Sequence, residues 1–283
     1  MDKDTPQGEI QLQVENITTC SARCVFCTYP QVMSERAGQS MPMDLYRKIV
    51  DDMATIPQIT TLKITGLSEP TLDPLLEERV AYSKKKAPNV LTQIYTHGAH
   101  LTPKRHDSLR AAGLDSIVVS LNAVRAEQHE AVMGLKGKFD IVCRNIDYAI
   151  ANRNGRHVEV HAVCNEDTFN RQDVIDFSLR WGHASAGGFG LCVWEGNWTG
   201  DTRTVRDFTP NKCCFRATSQ IYVTYDGKVT PCCFMPLGNV SFGDLNTQTI
   251  RDVYNNNPHL NFREKHAADR ADEFEYCKTC TRI

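Results

Sequence analysis

Residues 17–30, ITTCSARCVFCTYP, carry Cys20, Cys24 and Cys27 in a CxxxCxxC pattern. Three thiolates at this spacing can wrap one face of an iron–sulfur cubane and leave one iron without a protein ligand. The same trio is compatible with a zinc knuckle, so the residue types alone leave two metals open. Either metal makes this loop the first candidate site in the chain.

The cysteine loop follows directly on a short strand pattern, and similar patterns recur along the chain. Segments with apolar residues at a 3.6-residue period separate them, such as MDLYRKIVDDMATI (43–56) and FDIVCRNIDYAIANRNG (139–155). This alternation predicts an α/β fold, a partial (β/α)6, TIM-like barrel with right-handed crossovers, whose chemistry gathers at the carboxyl ends of the strands. The six predicted strands lie at 10–14, 61–65, 91–95, 116–121, 158–163 and 188–194.

The pattern changes near the C-terminus. Residues 221–233, IYVTYDGKVTPCC, form two short strand patterns around Asp226 and Gly227, and an Asp-Gly pair is a strong hairpin signal. A short helix pattern and a cysteine-bearing tail follow. We therefore expect two domains, a barrel at residues 1–205 and a small domain of hairpin and helix at residues 206–283.

Composition narrows the classes of function. The formal net charge is -2 and the sequence pI is about 6.5, which gives no electrostatic footprint for nucleic acid. The N-terminus has no apolar signal region and no long apolar run occurs, so we expect a cytoplasmic protein without a membrane span. Because thiols stay reduced in the cytosol, the 12 cysteines indicate metal binding or catalysis.

Three further segments follow predicted strands in order: TGLSEP (65–70), YTHG (95–98) and SLN (120–122). Together with the CxxxCxxC loop, they resemble the motifs of the radical S-adenosylmethionine (SAM) superfamily over about residues 8–200. TGLSEP is similar to the family's GGEP-type segment, with Ser68 where glycine is common, and His97 replaces the usual asparagine of a YTNG segment. The resemblance implies SAM contacts at Gly66, Ser68, Glu69, Thr96, Ser120 and Asn122.

The resemblance also implies the chemistry of the loop. Cys20, Cys24 and Cys27 would hold a [4Fe-4S] cluster whose open iron chelates the amino and carboxylate groups of SAM. Reduction by an external electron donor, flavodoxin or ferredoxin, would then cleave SAM to methionine and a 5'-deoxyadenosyl radical that abstracts hydrogen from substrate. On this basis the protein is an enzyme, a radical SAM oxidoreductase or epimerase.

The C-terminal cysteines form a second candidate site. Cys214, Cys232, Cys277 and Cys280 suit either zinc or a fully ligated iron–sulfur cluster. Their order resembles the twitch half of a SPASM/twitch extension, which implies one auxiliary [4Fe-4S] cluster. The spacing C-x12-G-x4-C favours Cys214 and Cys232 over their neighbours Cys213 and Cys233, although either neighbour remains an alternative because adjacent strand residues face opposite sides.

Two single cysteines, Cys164 and Cys192, lie near the ends of the fifth and sixth predicted strands. Either thiol is a candidate to return a hydrogen atom to a substrate radical, and a buried core cysteine is the alternative for each. Carboxylates at the same rim are candidates for binding a substrate amine or taking up a proton. The rim residues are Glu166, Asp167, Trp194 and Glu195.

The resemblance to twitch-bearing enzymes of natural product biosynthesis favours a small polar substrate: a sugar, a cyclitol or a nucleoside-like molecule. One of its carbons would be oxidised or epimerised, with the auxiliary cluster accepting or relaying an electron. The main alternative is a ribosomal-peptide-modifying enzyme that forms a crosslink or inverts a residue, although the segment before the first strand is too short for a leader-binding module. A non-catalytic zinc protein is the remote alternative.

Overall fold

The structure is a computed structural model that describes residues 8–164, 168–182, 189–193, 214–235 and 237–278. For Cys164 and Cys192 it describes the backbone alone. None of the helices within these ranges combines the length and apolar character that crossing a membrane requires.

All six strands predicted from the alternation are present; β1 has the predicted bounds, and the ends of the other five differ by at most two residues. Six strands, β1 to β6, form parallel pairs in chain order, and the element order gives β-strand followed by helix throughout. The strands are β1 Ile10–Val14, β2 Ile59–Ile64, β3 Leu91–Thr96, β4 Ser116–Ser120, β5 His157–Cys164, β6 Phe189–Val193, β7 Gln220–Val223, β8 Lys228–Thr230 and β9 Gly243–Asp244.

Helices connect the strands and cover one face of the sheet. Between β1 and β6 lie α1 Tyr29–Arg36, α2 Met43–Met53, α3 Leu76–Lys86, α4 Pro103–Ala111, α5 Ala126–Met133, α6 Phe139–Ala151 and α7 Arg171–Trp181. The C-terminal region contributes α8 Phe215–Ser219, α9 Ile250–Asn255, α10 Asn257–Ala267 and α11 Glu275–Lys278. Single 3-10 turns lie at Pro70–Leu72 and Ala271–Glu273.

The hairpin that the Asp226-Gly227 pair predicts is part of the barrel sheet. β7 pairs in parallel with β1, from Gln11 opposite Gln220 to Val14 opposite Val223. β8 and β9 then continue the sheet in antiparallel fashion, which gives the order β6-β5-β4-β3-β2-β1-β7-β8-β9. The C-terminal region is thus joined to the barrel by backbone hydrogen bonds.

The strands alternate between apolar and polar residues. This is unusual for parallel strands, which are normally apolar throughout because both faces of the sheet are buried. Here the apolar positions pack under the helices, whereas several alternate positions line a cavity. The apolar set is completely buried: Leu12, Val14, Leu62, Ile64, Ile94, Ile117, Val119, Val158 and Val160. The cavity set is Gln11, Gln13, Lys63, Tyr95, Ser120, His161 and Gln220.

A buried ion pair fixes the loops at the carboxyl edge of the sheet. Arg79 Nε donates to Asp73 Oδ2 at 2.8 Å, and both side chains are fully buried. Arg79 Nη2 also donates to the Met41 carbonyl at 2.6 Å, and Asn16 Nδ2 donates to Asp73 Oδ2 at 2.8 Å. The pair therefore connects the end of β1, the start of α2 and α3.

We expect Arg79→Ala to lower the free energy of unfolding by about 3–5 kcal/mol, because it leaves the Asp73 carboxylate buried without its cation. Chemical denaturation followed by circular dichroism measures the change. Arg47→Ala is the matched control, since Arg47 pairs with Glu78 at 2.7 Å but is 42% exposed. It should cost no more than about 1 kcal/mol. Equal losses in the two variants would contradict the assignment.

Candidate active site

A cavity of about 390 Å³ lies at the carboxyl ends of the strands. Its wall has three parts: the cysteine loop after β1, the residues at and near the ends of β2 to β5, and a C-terminal part formed by α8, β7 and the hairpin. The three cysteines of the first predicted metal site line this cavity, and so does Cys233, the neighbour of the predicted auxiliary ligand Cys232. This volume falls in the usual range for small-molecule sites.

The cysteine loop is docked on the end of α5. The Arg23 and Val25 amides donate to the carbonyls of Met133 and Val132 at 2.8 and 2.9 Å. Gly134 ends α5 with φ +65°, and a Cβ there would lie 2.9 Å from the Cβ of Arg23. A larger residue at this position would push the loop away, so this glycine allows the close approach.

The Cys20, Cys24 and Cys27 thiols all line the cavity. Burial raises the pKa of Cys20 to about 12 and that of Cys27 to about 11, and burial with the charges of the other two thiolates raises the pKa of Cys24 well above its usual value. Burial disfavours the charged thiolate form, so these cysteines need a nearby cation to become thiolates. Coordination to a metal supplies it, because it deprotonates a thiol outright. The donor set therefore fits a metal group.

Within the described ranges, no three His, Cys, Asp or Glu side chains are grouped so that they could hold one metal ion. In a cubane each thiolate binds a different iron. The Tyr29 amide also donates to Cys27 Sγ at 3.4 Å, a type of contact that tunes iron–sulfur clusters.

Glu15, which the sequence analysis did not identify, supports the TGLSEP segment. Its fully buried carboxylate accepts from the Leu67 amide at 3.2 Å and from Arg36 Nη2 at 2.6 Å. Burial raises the pKa of Glu15 to about 7, while the Arg36 guanidinium lowers it. A Cβ on Gly66 would lie 2.4 Å from Glu15 Cγ, so the glycine is required for this packing.

Glu69 joins the ends of β2 and β3. Its carboxylate accepts from Thr96 Oγ1 at 2.6 Å, from the His97 amide at 2.8 Å, and from both the amide and the hydroxyl of Thr71. Glu69 is only 1% exposed, although it borders the cavity. The carboxylate is thus engaged within the protein, and its contact with SAM stays a prediction.

The other predicted SAM contacts also lie in the cavity wall. Ser68 Oγ is buried and has no hydrogen-bond partner among the described residues, so it is available to a bound ligand. Asn122 is in the left-handed region at φ 54°, where its Oδ1 accepts from the Val163 amide at 2.8 Å. Gly66, Thr96 and Ser120 border the same cavity. The structure therefore brings all six predicted residues together.

The auxiliary cysteines converge from three elements. Cys232 is partly buried, and burial together with the charges of Cys233, Cys277 and Cys214 raises its pKa well above the usual value. Its neighbour Cys233 lines the main cavity instead. Cys213 and Cys280 lie outside the described residues, so the full ligand set stays a prediction. His266 Nε2 lies 3.6 Å from Cys277 Sγ, a neighbour that the sequence did not indicate.

The predicted hydrogen donors are not tested by the geometry. Cys164 and Cys192 lie on adjacent strands, where Cys164 pairs with Val193 and Val163 with Cys192. Their side chains are outside the described part of the chain, as are Glu166, Asp167, Trp194 and Glu195. The roles proposed for these six residues stay predictions.

The cavity contains functional candidates that the sequence analysis missed. They are Lys63, His161 and Arg216. His161 Nε2 lies 2.9 Å from Glu159 Oε2, and its ring meets the Tyr95 ring edge-on at 6.2 Å between centroids. Polar residues alternate with apolar residues in β2 and β5, and this pattern could have identified Lys63 and His161 from the sequence. Parallel strands are normally apolar throughout, so regularly spaced polar residues indicate a strand face that lines a cavity.

Comparison with known families agrees with this geometry. The model of the Radical SAM superfamily matches residues 15–177, which include the cysteine loop and β2 to β5. The chain belongs to the radical SAM superfamily. A second model, SPASM, described as an iron–sulfur cluster-binding domain, matches residues 213–281. The protein is therefore a radical SAM enzyme that uses SAM, a [4Fe-4S] cluster and an auxiliary iron–sulfur cluster.

Two curated relatives illustrate the range of this radical SAM family. The tungsten-containing aldehyde ferredoxin oxidoreductase cofactor-modifying protein of Pyrococcus furiosus is 28% identical over 123 residues, 44% of this chain and 33% of the relative. This chain thus matches about a third of that protein's length. The S-adenosyl-L-methionine-dependent 2-deoxy-scyllo-inosamine dehydrogenase of Niallia circulans is 21% identical over 272 residues, 96% of this chain and 92% of the relative.

Two solved structures share the radical SAM fold. BtrN in complex with AdoMet and 2-DOIA superposes with a TM-score of 0.70 at 18% identity, covering 99% of this chain and 95% of BtrN. Streptococcus suis SuiB bound to precursor peptide SuiA gives a TM-score of 0.70 at 12% identity, covering 93% of this chain and 67% of SuiB. At these identities the likeness supports the fold alone.

We expect Glu69→Gln to weaken SAM binding about tenfold or more. The substitution replaces one accepting oxygen by an NH2 group, which would face either the His97 amide or the Thr96 and Thr71 donors. Equilibrium dialysis of the cluster-loaded protein with SAM measures the dissociation constant. Glu78→Gln is the control, since that carboxyl is 49% exposed on α3. An unchanged dissociation constant in Glu69→Gln would contradict the role of this network.

Proposed function

We propose that this radical SAM enzyme abstracts hydrogen from a carbon of a small polar substrate, a sugar, cyclitol or nucleoside-like molecule, and oxidises or epimerises that carbon. One observation carries the proposal. The cysteine loop and the SAM segments line one side of the cavity. The C-terminal region lines another side, with Arg216, Gln220, Cys233 and Phe234. A substrate in this cavity would lie between the two cluster sites.

The bound groups supply the redox chemistry. When bound, the cluster at the cysteine loop with SAM supplies a 5'-deoxyadenosyl radical, and the auxiliary cluster supplies an acceptor or relay for one electron. The chain's own residues bind the substrate, orient the target carbon and exclude water. Gln13 helps to fix the cavity wall, because its side chain donates to the Thr65 carbonyl at 3.2 Å and accepts from Gln220 Nε2 at 3.0 Å.

The lining of the cavity supports a small hydroxylated substrate. Amides, a hydroxyl and an imidazole project from β1, β3, β5 and β7, and such groups pair with hydroxyls of a ligand. The shared cavity of about 390 Å³ has to accept SAM as well, which favours a compact molecule over a folded peptide. A peptide substrate remains the second candidate because the fold also matches SuiB in its peptide complex.

His161 is the residue that we propose to take up a proton during oxidation. When a carbon bearing a hydroxyl loses its hydrogen atom and then one electron, the hydroxyl proton must leave to form the carbonyl. His161 lines the cavity, and its contact with Glu159 at 2.9 Å orients the ring. The pair is thus equipped to act as the general base.

We also propose that the electron for the first cluster comes from an external flavodoxin or ferredoxin. Val25 lies between Cys24 and Cys27 and is 46% exposed. The loop therefore reaches the protein surface close to the cluster site. An apolar residue at that point suits a small docking contact for a redox protein.

Replacing Cys20, Cys24 and Cys27 together by Ala should abolish formation of 5'-deoxyadenosine and lower the iron content from about eight to about four per chain, since one of two cubanes is lost. Anaerobic iron and sulfide analysis and chromatography of the products measure both. Cys143→Ala is the matched control, because Cys143 lies half-buried in α6, away from both sites. Undiminished 5'-deoxyadenosine in the triple variant would refute the proposal.

For His161→Asn we expect product formation to fall about 100-fold or more, because a general base typically contributes about 100- to 10,000-fold. Deuterium transfer from labelled substrate into 5'-deoxyadenosine reports hydrogen abstraction separately from product release. His157→Asn, at the exposed start of the same strand, is the control. Equal product yields from His161→Asn and wild type would eliminate His161 as the base.

A further inference from the structure

Lys63 lies on the cavity side of β2. Its neighbours Leu62 and Ile64 are completely buried under the helices, and Lys63 faces the opposite way and lines the cavity. It stands two residues before Thr65, which corresponds to roughly 7 Å along a strand. Lys63 is therefore one inward-facing position deeper in the barrel than the segment that borders the SAM site.

The ammonium group of Lys63 has no acceptor from the described part of the chain. Its Nζ lies 5.6 Å from the centroid of the Tyr95 ring, which is a cation–π contact. It takes part in none of the hydrogen bonds or ion pairs that connect the described residues. Burial lowers the pKa of Lys63, because a charged ammonium group is poorly solvated there. An ammonium group in this position gains from an anionic ligand.

Among the described residues, three ionisable side chains act on Lys63: those of Arg216, Glu159 and Cys233. Arg216 lines the same cavity, where its guanidinium lies 5.0 Å from the Phe234 ring centroid, and its positive charge acts on Lys63. The nearby carboxylate is Glu159, which contacts His161 at 2.9 Å. The Cys233 thiol also lies near Lys63.

We propose that Lys63 and Arg216 bind an anionic group of the substrate, a carboxylate or a phosphate, and so determine which substrates the enzyme accepts. The proposal rests on the proposed function and names the substrate class of the same cavity. A lysine acts on such a group as a point charge, and an arginine in the same cavity wall adds directed hydrogen bonds. Anchored there, a hydroxylated carbon of the substrate lies toward the strand ends, where His161 and the SAM segments meet.

The test uses the cluster-loaded enzyme with SAM and four probes of similar size: glucose 6-phosphate, gluconate, glucose and glucosamine. Anaerobic equilibrium dialysis at constant ionic strength gives their dissociation constants. In wild type, at least one of the two anions should bind about tenfold or more tightly than glucose and glucosamine. The phosphate and carboxylate probes distinguish the two sources of negative charge.

Variants connect this preference to the residue. Lys63→Met keeps the apolar stem and should remove the preference for anions, while Lys63→Arg keeps the charge and should retain part of it. Lys85→Met, at an exposed position of α3, should behave as wild type. No anion preference in wild type, tighter binding of glucosamine, or a preference that persists in Lys63→Met would each overturn the inference.

A separate measurement keeps the two proposals apart. Reductive SAM cleavage by the wild-type enzyme, measured as 5'-deoxyadenosine, requires no anion site. Cleavage without anion preference overturns the specificity inference and leaves the proposed function standing. Anion preference without cleavage does the reverse.

Discussion

The buried carboxylate of Glu15 connects the parts of the molecule that form the site. It sits at the end of β1, accepts from Arg36 of α1 and the Leu67 amide of the SAM segment, and accepts from the Tyr225 amide of the hairpin at 3.2 Å. A carboxylate in a dry environment is costly unless several donors surround it. The chain meets this requirement because α1, the segment after β2 and the turn between β7 and β8 each place a donor at the Glu15 carboxylate.

A second carboxylate, Glu69, repeats this arrangement one strand further along. It accepts from Thr96 and His97 at the end of β3, while His97 Nε2 contacts Ser21 Oγ of the cysteine loop at 3.0 Å. His97 Nδ1 accepts from the Ala99 amide, so this hydrogen-bonding pattern makes Nε2 the donor to Ser21. The histidine that replaces the usual asparagine thus has a structural contact, and the polar edge of the barrel forms one continuous network.

Local patterns in the sequence carried most of the fold. The six parallel strands, the cysteine loop at the end of β1 and the Asp226-Gly227 hairpin follow from period, spacing and turn chemistry. The position of β7 beside β1 did not follow, because strand pairing between residues 11–14 and 220–223 depends on long-range packing that no local pattern encodes. The same limit applied to the doublet of Cys232 and Cys233, where the strand alternation predicted opposite faces but could not say which one faces the cavity.

The parallel pairing of β7 with β1 means that the C-terminal region is also the edge protection of the barrel. Without β7, the backbone N–H and C=O groups of Ile10–Val14 on that side would be unpaired. A bare strand edge of this kind is a template for pairing with another chain, and hence for aggregation. The segment that carries the auxiliary cysteines therefore also serves as a folding cap, so a shortened chain that keeps only the catalytic half would lose its solubility along with its second metal group.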